Sequence, residues 1–123
     1  MKHIFLVFLG GGLGSALRYW MSKTLNPYFS NFYLGTFSVN ILGCLLMGIL
    51  LGATLRPPLL PQYGMLLLAT GFCGGFTTFS AFAFEGHALL REGNITYFLL
   101  YVLGSLAVGL LAVGLGVWLS RTL

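Results

Sequence analysis

The sequence predicts an all-α membrane protein of four transmembrane helices, and three observations carry that prediction. Only 7% of the 123 residues are charged, against about a quarter in a soluble domain. Hydrophobic residues make up 58%, with a mean hydropathy of +0.95. The apolar stretches are long enough to cross a hydrocarbon core of about 30 Å, which takes roughly 20 helical residues. They fill a single domain over residues 1–123, leaving very little chain outside the bilayer.

The first span covers about residues 4–20, where Arg18, Tyr19, Trp20 and the nearby Lys23 form an interfacial anchor. The second covers about 34–55 and is closed by the turn RPPLLPQ at 56–62. The third, about 63–90, contains GFCGGFTTFSAF at 71–82, and the fourth, about 95–119, ends in WLSRTL. Short connections make neighbouring spans antiparallel hairpins. The GxxxG pairs Gly10/Gly14, Gly48/Gly52 and Gly71/Gly75 are read as close packing between helices.

Several function classes drop out. The net charge of +4 comes from six dispersed Lys/Arg, so neither nucleic-acid binding nor a polybasic lipid patch is expected. Cys44 and Cys73 lie within apolar stretches as buried free thiols, with no disulfide framework or metal spacing around them. His3 and His87 have no ligand cluster either. No nucleophile–base pair or phosphate loop is present, so an enzyme is not expected. The first apolar run ends in LRYW without a small-x-small cleavage site, which argues against a cleaved signal peptide.

Loop charge bears on topology. With four spans, Lys2, Arg56 and Arg121 share one side, and Arg18, Lys23 and Arg91 share the other. Orientation normally follows a Lys/Arg excess on the cytoplasmic side, and here the sides are equal. The chain is therefore expected to insert both ways, a small bias in flanking residues that fixes one orientation being the other reading. Oppositely oriented copies can then pair about a two-fold axis in the membrane plane, as inverted repeats do within larger transporters.

Candidate functional residues cluster in the third span. Gly74-Gly75 is the natural break point of that helix. A break would free carbonyls from Gly74 to Thr77, and unwound carbonyls within a membrane suit Na⁺ or K⁺. A continuous helix with both glycines used for packing is the other reading, and the residues alone leave both open. Phe79 and Phe82 share a helical face, with Thr78 near it and Ser80 turned away. Their partly positive ring edges can line an anion path, or the rings can be simple bulk. Asn40, six residues into its span, needs a hydrogen-bonding partner; its amide can serve an anion or another helix. Tyr101, Ser105 and Gly109 form an i, i+4, i+8 stripe. Arg18 reads as an interfacial anchor that can also draw anions to a vestibule. Glu85, an acid about two turns past Thr78, is either functional or solvated at the interface.

GGGLGSALRYW at 10–20, GTFSVNILG at 35–43 and GFCGGFTTFSAF at 71–82 together resemble the signature segments of the Fluc/CrcB fluoride channels. The likeness covers all four spans in length and order. It implies an antiparallel dimer with two fluoride pores and a central structural Na⁺, in the plasma (inner) membrane of a prokaryote. By that resemblance Gly74 and Thr77 supply Na⁺-binding carbonyls, and Phe79, Phe82 and Asn40 line the fluoride path. Tyr101 and Ser105 begin a polar track, Arg18 is a vestibule arginine and Glu85 a third-helix glutamate, with Thr78 and Ser80 beside the pathway. The expected function is passive export of fluoride, which lowers its cytoplasmic toxicity. The expected partners are fluoride, membrane lipid and a second copy, an unlike partner chain being the alternative.

The chain departs from the family pattern at Ala81 and Ala83, where members often carry hydroxyls, and at Gly109, where some extend the track with serine. A small multidrug exporter, the main rival, would need an acid in the first span, and there is none. A non-transporting scaffold subunit would need neither a buried Asn nor a broken helix.

Overall fold

The computed structural model describes residues 1–28, 32–55 and 61–123. Arg56 and most of the expected turn at 56–62 lie outside these residues. Helix α1 is Lys2–Leu25, continuing past the expected end at Trp20, and α2 is Leu34–Thr54. The third span has two parts. Its first half, α3 (residues 62–76), begins as α-helix at Gln62–Met65, widens into a π-helix over Leu66–Cys73, and closes with a last α turn at Gly74–Phe76. Its second half, α4, is Phe79–Arg91, and α5 is Ile95–Thr122. Four helical stretches, Lys2–Tyr28, Leu34–Thr54, Gln62–Arg91 and Ile95–Thr122, are long and apolar enough to cross a membrane.

Lipid offers no hydrophobic drive between helices, so they pack where small residues let backbones approach. A side-chain carbon built at Gly10 would lie 2.8 Å from the backbone nitrogen of Phe72, and one at Gly14 2.8 Å from that of Phe76. These glycines seat α1 alongside α3, with the two helices parallel. On the other flank Gly48 meets the Val113 backbone, Gly116 meets Gly48 and Ile49, and Gly52 meets Ser120. That packing makes α2 and α5 a second parallel pair.

The connections fix how these pairs meet. Asn26 follows α1, and its side-chain oxygen accepts from the Gly35 N–H at 2.7 Å, tying the end of α1 to the start of α2. Gly93 carries φ +78° after α4. The N–H groups of Gly93 and Asn94 donate back to the carbonyls of Leu90 and Leu89, both at 3.0 Å. That is a Schellman turn, which glycine permits by adopting a left-handed conformation. It sends α5 back along α4.

Candidate functional site

The third span breaks at Thr77-Thr78, not at Gly74-Gly75. Gly74 is helical at φ −62°, ψ −38°, whereas Thr77 (ψ 158°) and Thr78 (φ −148°, ψ 122°) are extended. The physical reason lies in what each residue does. Gly75 is helical, and a side-chain carbon there would sit 2.9 Å from the Gly11 Cα. It serves close packing with α1. Threonine's branched side chain favours extended backbone, and its hydroxyl can satisfy backbone groups that a break exposes.

Each freed backbone group can be followed. The Thr78 N–H, which a continuous helix would donate to the Gly74 carbonyl, donates to Asn40 Oδ1 at 2.8 Å. Asn40 Nδ2 in turn donates to the Thr78 carbonyl at 3.1 Å. One amide from α2 thus bonds both backbone groups of Thr78, as a neighbouring strand would. The Thr78 hydroxyl caps α4, accepting from the Ala81 N–H at 3.2 Å, an N–H that would otherwise point to Thr77's carbonyl. The Thr77 hydroxyl donates to the Cys73 carbonyl at 2.9 Å, while its methyl group fits against Gly43. The Gly75 carbonyl accepts from Arg18 Nε at 3.0 Å and Ser15 Oγ at 3.3 Å.

The resemblance leads to the expectation of a cation held by the Gly74 and Thr77 carbonyls. The Gly75 carbonyl is occupied by a guanidinium. The helical donors of Gly74 and Thr77 are both diverted elsewhere, to Asn40 and to the Thr78 hydroxyl. Among the described residues, nothing lies within 4 Å of a side-chain carbon built at Gly74. Uncharged carbonyl oxygens released from their helical donors fit a hard cation such as Na⁺.

The break also builds a groove. Asn40, Cys44, Thr77, Thr78, Phe79, Phe82, Ser105 and Leu106 line an opening of about 310 Å³. Asn40, Phe79, Phe82 and Ser105 are therefore brought together, with Thr77 and Thr78 at their side. The rings of Phe79 and Phe82 lie 6.0 Å apart, and Phe79 is 80% exposed on this single chain. Ser105 Oγ is buried and has no hydrogen-bond partner among the described residues.

Tyr101 lies behind the groove wall. It is fully buried, its ring 5.2 Å from that of Phe82, and its hydroxyl donates to Glu85 Oε2 at 2.7 Å. Thr36 donates to Glu85 Oε1 at 2.8 Å. Glu85 is thus a buried carboxylate with a donor on each oxygen, so the interfacial, solvated reading does not hold. Arg18 braces the break through the Gly75 carbonyl. Ser80 is exposed, its hydroxyl 3.4 Å from that of Thr78. Tyr33, just ahead of α2, has a phenol raised above its ordinary range by burial first, then by the carboxylates of Glu92 and Glu85.

Sequence reasoning missed Thr36, Cys44 and Ser15. A signal for the first two was available: Thr36, Asn40 and Cys44 repeat at i, i+4, i+8 on α2. Tyr101, Ser105 and Gly109 do the same on α5, and the two helices run parallel with these stripes face to face.

Comparison with known proteins identifies the family. Residues 5–117 match the family model described as CrcB-like protein, Camphor Resistance (CrcB). A protein of Phocaeicola vulgatus is 46% identical over 122 residues, covering 98% of this chain and 100% of the relative. One from Gloeothece citriformis is 47% identical over 122 residues, covering 98% of each chain. One from Prosthecochloris aestuarii is 44% identical over 118 residues, covering 96% of this chain and 92% of the relative. All three relatives bear the name Fluoride-specific ion channel FluC. Matched over nearly its whole length by both the family model and these relatives, the chain belongs to the CrcB family.

Proposed function

We propose that this protein is a fluoride-selective channel that lets F⁻ leave the cytoplasm passively, down its electrochemical gradient, and so lowers fluoride toxicity. The carrying observation is the groove where Asn40, Phe79, Phe82 and Ser105 converge beside the helix break. An anion leaving water needs its hydration shell replaced by donors weak enough to release it. Amide and hydroxyl hydrogens with aromatic ring edges meet that requirement. A fixed cation in the groove would hold the ion too firmly, and the Arg18 guanidinium is bound to the Gly75 carbonyl. The names of the near-full-length relatives support fluoride as the ion.

The working unit on this reading is two oppositely oriented copies in a prokaryotic inner membrane, surrounded by lipid. Equal loop charge on the two sides and the exposed Phe79 ring support pairing. The Gly74 and Thr77 carbonyls of both copies would hold a Na⁺ between them. When bound, that ion supplies charge that ties two uncharged backbone segments together. This chain's residues prepare the place: Asn40 and Thr78 draw the helical donors away, and Gly74 leaves the approach clear.

The test is efflux from liposomes loaded with KF and KCl, started with valinomycin and followed by ion-selective electrodes. Rapid fluoride release with chloride retained is the expected result. Equal release of both overturns the selectivity, and release of neither overturns the channel.

A further inference from the structure

Resting on the fluoride-channel reading, we infer that the Cys44 thiol is an anion-facing donor of the pathway. It stands where α5 offers only Gly109. The inference comes from following the donors that line the groove. Asn40 uses one amide hydrogen on the Thr78 carbonyl and retains another. The Thr77 hydroxyl proton is committed to Cys73. The Thr78 hydroxyl is engaged by the Ala81 N–H and lies beside Ser80. Ser105 Oγ has no partner among the described residues and lies against the same space. Moving along the facing stripes from Asn40 and Ser105, the next positions are Cys44 on α2 and Gly109 on α5.

Cys44 is half-buried and lines the groove. A side-chain carbon at Gly109 would stand 3.5 Å from its Sγ and 3.9 Å from Ile41 Cδ1, which is ordinary contact. Gly109 therefore has no donor of its own and leaves the sulfur directly opposite. An S–H is a weak donor. Weakness suits a transit position, where an ion must be handed on and not kept. Apart from the thiol, the one described atom within 4 Å of a side-chain carbon at Gly109 is the Ile41 methyl, and a desolvated charge is very costly in apolar surroundings.

The experiment uses the purified protein in the same liposomes. Methyl methanethiosulfonate is the probe: a thiolate attacks its sulfenyl sulfur, a mixed disulfide forms and methanesulfinate leaves. Cys73, only 1% exposed and outside the groove, is the internal control. Cys44 is expected to be labelled ahead of Cys73, as read by mass spectrometry, with fluoride efflux slowed as labelling proceeds. Cys44→Ala is expected to slow efflux about three- to tenfold, the size of one lost hydrogen bond. Cys44→Ser, which keeps a donor at that point, is expected to lose less than Cys44→Ala. Gly109→Ser added to Cys44→Ala restores most of the loss by placing a hydroxyl in the vacated space. Wild-type efflux in both Cys44→Ala and Cys44→Val overturns the inference, as does equal inertness of the two thiols, a readout independent of transport. Wild-type protein that conducts no fluoride overturns the channel reading on which it rests.

Discussion

Replacing Asn40 with leucine removes the one side chain that bonds both backbone groups of Thr78, with little change in shape. Two hydrogen bonds go, at 2.8 Å and 3.1 Å. Leaving a buried N–H or C=O unsatisfied costs about 1–3 kcal/mol; these two are part-buried, so the broken conformation loses about 2–4 kcal/mol in all. The chain can escape that cost by rewinding, so that the Thr78 N–H returns to the Gly74 carbonyl. Either outcome damages the site. Rewinding turns Phe79 and Phe82 about the helix axis and withdraws the Gly74 carbonyl from any cation. Even the lower figure, about 2 kcal/mol, shifts the balance between broken and continuous helix about 30-fold. Asn40→Leu is therefore expected to slow fluoride efflux by at least about tenfold. Hydrogen exchange at the Thr78 amide reports the cause directly, since its protection must change when its acceptor is removed. Wild-type efflux with unchanged protection at Thr78 would refute the claim that Asn40 holds the break open.

Phe82→Ile keeps apolar bulk but removes the ring between Phe79 and Tyr101; it is expected to cripple efflux while assembly, followed by size-exclusion chromatography, stays intact. Wild-type flux in that variant removes the ring from the pathway. Gly75→Ala drives a methyl group into the Gly11 backbone and should lower thermal stability in detergent by about 1–3 kcal/mol, the cost of overpacking. Gly74→Ala meets nothing within 4 Å among the described residues and should leave subunit helicity unchanged, as read by circular dichroism. Equal effects of the two substitutions would undo the distinction between the glycines. Tyr101→Phe keeps the ring against Phe82 but removes one of the two donors to Glu85. Its expected cost is about 1.5–3 kcal/mol, checked by thermal unfolding in detergent.

The sequence by itself determined the class of molecule and the residues worth watching. Membrane spans are legible because hydropathy is a property of each segment alone. The apolar runs therefore located four helices without knowledge of their neighbours, short at the end of the first, which continues to Leu25, and of the fourth, which continues to Thr122. GFCGGFTTFSAF marked a break within the third span, and Asn40, Phe79, Phe82 and Ser105 were visible as candidates.

Only the tertiary structure decided where the break falls and what its pieces do. Gly74-Gly75 looked like the weak point because glycine is permissive, but both residues stay helical, and Gly75 packs closely on Gly11. Thr77 and Thr78 open instead because an amide on α2 meets them. Glu85 could be solvated or buried until Thr36 and Tyr101 were found on either side of it. Cys44 gained meaning only when the parallel register of α2 and α5 set it opposite Gly109. In each case the deciding partner is distant in sequence. A local pattern shows which groups a helix carries; the packing of one helix on another settles which of them find partners and which remain for an ion.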